Sequence, residues 1–147
     1  IIKNNIIYTT SSTGSRACIY EAVVGADPRS FQNNLLFDCP TALYIDESVN
    51  NRVLEADLNN VGNTTQSGAA SGNIAPPTIA NFAAIFFQSA SDLHLTASTP
   101  AAVRTGGKDA SQNTCGSTGT SSCGNVLLDR DGVTRTVPYS IGAYERD

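Results

Sequence analysis

The sequence predicts an all-β chain built as a solenoid, with short strands stacked turn upon turn. Three observations carry that expectation. The first is an internal echo: residues 3–9 (KNNIIYT) are answered by residues 32–38 (QNNLLFD), so that Asn4 and Asn33, like Asn5 and Asn34, stand 29 positions apart. Both segments read polar, Asn, Asn, aliphatic, aliphatic, aromatic, and a repeat of this period is the signature of stacked supersecondary units. The second is composition. Charged residues are only 15% of the chain, below the usual share of about a quarter, and Asn, Ser, Thr and Gly supply the polarity instead. That balance suits extended backbone with neutral hydrogen-bonding surfaces better than helices laced with Glu–Lys pairs. The third is a series of short β-branched and aromatic runs, each ending at turn formers.

Taken in order, the Asn pairs have a physical reason. Each turn of a solenoid bends at the same place, and Asn tolerates the left-handed conformation that a tight bend requires. Its amide can also bond to the Asn of the next turn and so form a ladder. The apolar triplets that follow (Ile6, Ile7, Tyr8 and Leu35, Leu36, Phe37) are the core-facing strands. Residues 17–25 (ACIYEAVVG) and 41–48 (TALYIDES) read as two further strands. Residues 50–60 have the one aliphatic spacing that suits a helix, in a stretch polar enough to be a loop, and residues 59–73 are a loop by composition. Pro76 and Pro77 lead into residues 78–89 (TIANFAAIFFQS), a strand or a short helix. In residues 92–98 (DLHLTAS) the alternation sets Leu93 and Leu95 on one face and His94 on the other.

Charge and hydropathy exclude some classes. With a net charge of −4 and its nine Lys and Arg scattered singly, the chain lacks the basic cluster that nucleic-acid binding needs. No apolar run approaches the roughly 18 residues that span a bilayer. The chain starts at Ile1 rather than Met, which points to a piece of a longer chain or a processed product. Among the four cysteines, Cys115 and Cys123 flank a loop of Gly, Ser and Thr, for which a disulfide is the natural means of order. Cys18 and Cys39 are either a second bridge or buried thiols. Zinc would need paired Cys with further Cys or His at matching spacing, and His94 is the sole histidine. An even cysteine count in such a chain suits an oxidising compartment, so a secreted or cell-surface location, extracellular or periplasmic, is expected.

From residue 33 onward the ordered series NNLLF, GNIAPPTIANF, SDLHLTASTPAA and LLDRDGVTRTVPYSIGAYE resembles the C-terminal end of bacterial right-handed parallel β-helix proteins of the pectate-lyase-like fold. Asp92, Leu93, His94, Leu95, Pro100 and Ala101 match the middle element of that ending. Asp129, Asp131, Gly132, Arg135, Ile141, Gly142, Ala143, Tyr144 and Glu145 match the last. Two departures stand out: TPAAVRTGG replaces the usual SPAIDAG, and residues 107–125 form an insertion with its own cysteine pair. The resemblance implies β-helix turns over residues 1–58, a long loop and last turns over 59–104, and a disulfide-bearing insertion with a C-terminal cap over 105–147. In that cap Ile141 and Tyr144 would pack on the core, with Gly142 allowing close approach.

Candidate chemistry is sparse. Asp129, Asp131 and Gly132 resemble half of a calcium loop, but Asp-x-Asp-Gly is also an ordinary turn. No cofactor is expected, calcium being the sole contender. His94 has no Ser, Cys or Asp at a spacing that signals catalysis and is expected to face solvent. Arg104, beside Gly106, Gly107 and Lys108, would serve an anionic sugar or phosphate, or else belong to a flexible basic turn. Glu47 with Glu55, or Asp38 with Asp46, would be an acid pair for glycoside hydrolysis if their separation allowed it. Asn63 opens a glycosylation sequon. Family enzymes carry their catalytic groups on the middle turns, which a C-terminal piece would largely miss.

Two function classes follow. The leading one is a non-catalytic end module that binds carbohydrate, mediates adhesion or caps a fibre, with Tyr8, Tyr20 and Tyr44 stacking on sugar rings if exposed. The alternative is the tail of a polysaccharide lyase or glycoside hydrolase, which an acidic groove around Asp38, Asp46 and Glu47 would favour. Expected partners are a polysaccharide or surface glycan, the upstream part of the parent chain, and a second copy in a homo-oligomer.

Overall fold

The computed structural model describes residues 1–9, 17–23, 25–28, 30–46, 48, 50–60, 70–76, 78, 87–89, 91–107 and 129–142, with residues 114–115 and 121–122 by backbone alone. The described chain is mostly extended, in small sheets. A first pass lays down β1 (Ile2–Lys3), β2 (Ile6–Tyr8) and β3 (Ala17–Tyr20). A second lays down β4 (Phe31–Gln32), β5 (Leu35–Phe37) and β6 (Ala42–Asp46) directly against it. All three pairings are parallel: β1 on β4 with Ile2 opposite Phe31, β2 on β5 with Ile6 opposite Leu35, and β3 on β6 with Ala17 opposite Ala42. The chain then reverses into β7 (Asn50–Arg52), antiparallel to β6, and a single helical turn, α1 (Glu55–Leu58). A third pass adds β8 (Ala70–Ser71), parallel to β4, and a parallel bridge from Ile74 to Leu35. Beyond it lie the helical turn α2 (Ala101–Arg104) and the antiparallel pair β9 (Thr114–Cys115) and β10 (Ser121–Ser122).

The echoed Asn pairs divide their work. The first of each pair makes the bend: Asn4 and Asn33 have φ of 56° and 54°, and in the third pass Gly72 holds the same place at 66°. The second makes the ladder. Asn34 Oδ1 accepts from the backbone N–H and the amide of Asn5 at 3.1 and 2.9 Å. Asn73 Oδ1 accepts from Asn34 in the same two ways, at 3.1 and 2.9 Å. Asn59, just after α1, closes the series by accepting from the backbone and amide of Asn73 at 2.9 and 3.1 Å.

Two cores share β5, all three of whose residues are buried. Side chains alternate along a strand, so Leu36 joins Phe31, Leu43, Tyr44, Leu58 and Ala75 on one face. Leu35 and Phe37 join Leu95, Val103 and Ile141 on the other. A strand buried on both sides reads as a continuous apolar run, which is why LLF carries no polar residue. The Cys18–Cys39 alternative resolves as a disulfide, tying β3 to the segment after β5.

Ile141 and Gly142, the last described residues of the C-terminal segment, pack against the first two passes. Ile141 is fully buried against Leu35 and Phe37, on the flank of the β2–β5 sheet. Gly142 donates its N–H to Asn4 O at 2.9 Å, and a Cβ there would lie 3.1 Å from Ile6 Cδ1. Arg135 secures the segment by donating to Gly142 O at 2.8 Å. Residues 92–98 depart from the expected strand: Leu95 is buried and bridged to Phe87, whereas Leu93 is exposed and residues 97–98 are in a turn. Tertiary packing on the β5 flank selects one of the two leucines. The helical spacing of residues 50–60 becomes β7 and α1, with Asp57 accepting from Leu54 N–H at 3.1 Å and Leu58 entering the core. Tyr144, Glu47, Cys123 and Asn63, with most of the insertion, lie outside the described residues.

Candidate functional site

The three tyrosines expected at a sugar site separate by burial. Tyr8, at the end of β2, is 42% exposed and Tyr20, at the end of β3, is 61% exposed. Tyr20 is held at its edge: its hydroxyl donates to Ser48 Oγ at 2.8 Å, while Ser48 Oγ spends its own proton on Ala22 O at 2.8 Å. That leaves a ligand the ring, with the hydroxyl able only to accept. Tyr44 does not meet the condition. It is 1% exposed, packs edge-on against Phe31 at 5.6 Å and donates to Glu21 Oε2 at 2.6 Å. Burial first, then the hydrogen bond and charge of Glu21, push its phenol far above the ordinary tyrosine range. β6 places Tyr44 inward because Phe31 and Leu36 stand opposite, so aromatic character alone marked it as a site.

Arg104 closes the turn that carries it, with Nε donating to Thr99 O at 2.8 Å. Asp129 and Asp131 make a turn of the DRDG segment. Asp129 Oδ1 accepts from the N–H groups of Asp131 and Val133 at 2.9 and 2.8 Å, and Gly132 takes φ of 82°. Asp131 then reaches His94 Nε2 at 2.6 Å, while Asp92 meets His94 Nδ1 at 2.5 Å. The imidazole therefore sits between two carboxylates, a neighbourhood that its sequence spacing did not signal. These bonds raise the His94 pKa, that to Asp92 foremost, and the same bond lowers the Asp92 pKa. With a carboxylate on each ring nitrogen, His94 holds the DRDG turn against residues 92–95 instead of presenting a base to a substrate.

Of the acid pairs expected for hydrolysis, Asp38 and Asp46 differ in environment, and Glu47 with Glu55 cannot be compared because Glu47 lies outside the described residues. Asp38 is exposed at φ of 51°, whereas Asp46 is buried and receives Arg52 Nη2 at 2.6 Å. Glu55 Oε2 is occupied by Ala75 N–H at 2.8 Å.

A cluster that sequence reasoning missed lies at the end of β3 and β6. Glu21, Asp27 and Asp46 each bring a carboxylate oxygen to within 4.8 Å of the others. The β3–β6 register explains two of the three. It pairs Ala17 with Ala42 and Tyr20 with Ile45, an offset of 45 − 20 = 25 residues. One step further the same offset puts Glu21 beside Asp46, fixed by the bond from Glu21 N–H to Ile45 O at 2.9 Å. A scan of acidic residues at that offset, rather than at 29, was the signal available. Among the described residues this is the one group of three or more potential metal-ligating side chains.

No helix among the described residues is long and apolar enough to cross a membrane. No family model, curated protein or solved structure matches the chain.

Proposed function

We propose that the chain is a non-catalytic module of a secreted or surface protein, formed by turns of a right-handed parallel β-helix, and that it binds carbohydrate through exposed tyrosines. Support for the architecture comes from three parallel pairings between successive passes, with left-handed bends at Asn4, Asn33 and Gly72 and an amide ladder beneath them. The Cys18–Cys39 bridge supports assembly in an oxidising compartment.

One contrast carries the functional reading. Tyr8 and Tyr20 are exposed on the first pass, while Asp46, Glu55 and His94 are committed to protein partners. Asp46 is paired with Arg52, Glu55 with Ala75, and His94 with two aspartates. Flat aromatic faces among neutral hydroxyl and amide groups suit the apolar faces and hydroxyls of a sugar.

The test is a glycan array probed with this chain, each retained glycan then being assayed for new reducing ends or unsaturated products. Retention without turnover is the expected result. Turnover would move the chain to the class of polysaccharide lyases and glycoside hydrolases, and an empty array would leave a structural cover for the stack.

A further inference from the structure

We infer that Glu21, Asp27 and Asp46 form a binding site for a hard divalent cation of the calcium class. The site stands on the geometry at the ends of β3 and β6 and is independent of any sugar binding.

Three carboxylates converge there, with oxygens within 4.8 Å of one another. That span suits oxygens around one calcium ion, whose metal–oxygen distances of about 2.3–2.6 Å set opposite ligands roughly twice as far apart. Magnesium, which keeps several waters in a near-ideal octahedron, is the poorer match to three converging protein carboxylates. All three donors are carboxylates, with neither imidazole nor thiolate, which excludes a zinc-type preference.

A second observation points to a ligand. The Asp46 side chain is 2% exposed, and although its Oδ2 receives Arg52, its Oδ1 is buried and accepts no hydrogen bond among the described residues. The Oδ1 of Asp27 is likewise buried and accepts none among the described residues. Buried carboxylate oxygens are normally satisfied, because leaving one bare forfeits its hydration without return. Charge points the same way: among the described residues the one ion pair these three carboxylates make with a cation is that of Asp46 with Arg52. A divalent cation would balance the remaining two charges and supply the missing partner to both bare oxygens.

The chain offers its own reporter. It has no tryptophan, and Tyr44 donates to Glu21 at 2.6 Å, so a terbium ion in the site would be sensitised by that tyrosine. The experiment is a terbium titration of the full chain read by sensitised emission, with competition by calcium. Thermal melts in calcium and in chelator accompany it, for the wild type and for Asp27→Asn. Asp27 is half-buried and the Arg52 ion pair is made by Asp46, so the Asp27 amide variant keeps that pair. Saturable emission displaced by calcium is expected. So is a rise in Tm of about 5–10 °C at calcium a hundredfold above its Kd, both lost in Asp27→Asn. Tyr44→Phe should dim the emission yet keep the calcium-dependent melt. If Asp27→Asn fails to fold, the wild-type melt in calcium against chelator decides alone. A wild type indifferent to calcium, magnesium and manganese would overturn the site, and so would unchanged terbium binding in Asp27→Asn. A wild type indifferent to metal but stabilised by Asp27→Asn would overturn it in favour of a shared proton.

Discussion

Truncating the middle of the amide ladder should cost far more than truncating its outer member. Asn34 is fully buried and its side chain makes four bonds: two accepted from Asn5, one donated to Ile2 O at 3.1 Å and one donated to Asn73 Oδ1 at 2.9 Å. Asn34→Ala removes all four and keeps the two backbone bonds of residue 34, its N–H to Asn73 Oδ1 and its carbonyl from Ile74 N–H. At about 1 kcal/mol net per bond the sum is ~4 kcal/mol. The donors of Asn5, an exposed residue, recover part of this from water, leaving about 3 kcal/mol. Asn5→Ala loses one bond to Asn34 Oδ1 and one to Lys3 O, both from an exposed side chain, and should cost about 0.5–1 kcal/mol. With a urea m-value near ~2 kcal/mol/M, the midpoints should fall by about 1.5 M and about 0.4 M. Asn34→Asp is the isosteric control. It sets an oxygen against Ile2 O and Asn73 Oδ1 and should be at least as damaging as alanine. Equal midpoints for Asn5→Ala and Asn34→Ala would refute the view that the ladder, rather than side-chain bulk, fixes the stacking.

The other predictions concern the cover, the histidine and the disulfide. Gly142→Ala, at φ of 120° and with its Cβ 3.1 Å from Ile6 Cδ1, should cost about 1–3 kcal/mol in urea unfolding; no change would detach the segment from Ile6. His94 has a raised pKa, so the stability it lends is fully present below pH ~6.5 and is lost as pH rises through the raised value. Asp92 has a lowered pKa, so its share is present above pH ~3.8 and is lost as pH falls through the lowered value. As the sole histidine, His94 can be titrated by its imidazole proton resonances, and Asp131→Asn should lower the midpoint. A midpoint unmoved by that change would remove Asp131 from the bridge. Replacing Cys18 and Cys39 by serine opens a loop closed at a separation of 21 residues and should cost about 3 kcal/mol, as reduction of the wild type should.

How far the sequence revealed this arrangement can be traced residue by residue. The first two passes were legible because Asn serves at both bend and ladder, so Asn4–Asn5 and Asn33–Asn34 repeat with one spacing. The third was hidden, since Gly72 replaces the bending Asn and the longer connection puts Asn73 39 residues after Asn34. Ile141 and Gly142 were legible as packing residues from their apolar, small character. Their place on the β5 flank was not, because it depends on Val103, Leu95 and Asn4, which are distant in sequence. His94 was read from local alternation, and its bond to Asp131 spans 37 residues. The acidic cluster needed the β3–β6 offset, which differs from the ladder's because the connections before β3 and β6 differ in length. Local bends and strand faces thus follow from composition, whereas sites made by register follow only once the pairing is known.

The most direct test of the account is a calorimetric titration of the strongest array glycan into the wild type, Tyr8→Ala and Tyr20→Ala, with the glycan recovered and analysed afterwards. Binding weakened about five- to tenfold in at least one tyrosine variant of unchanged Tm, with the glycan recovered intact, is the predicted result. Undiminished binding in both variants, or a cleaved glycan, would contradict it.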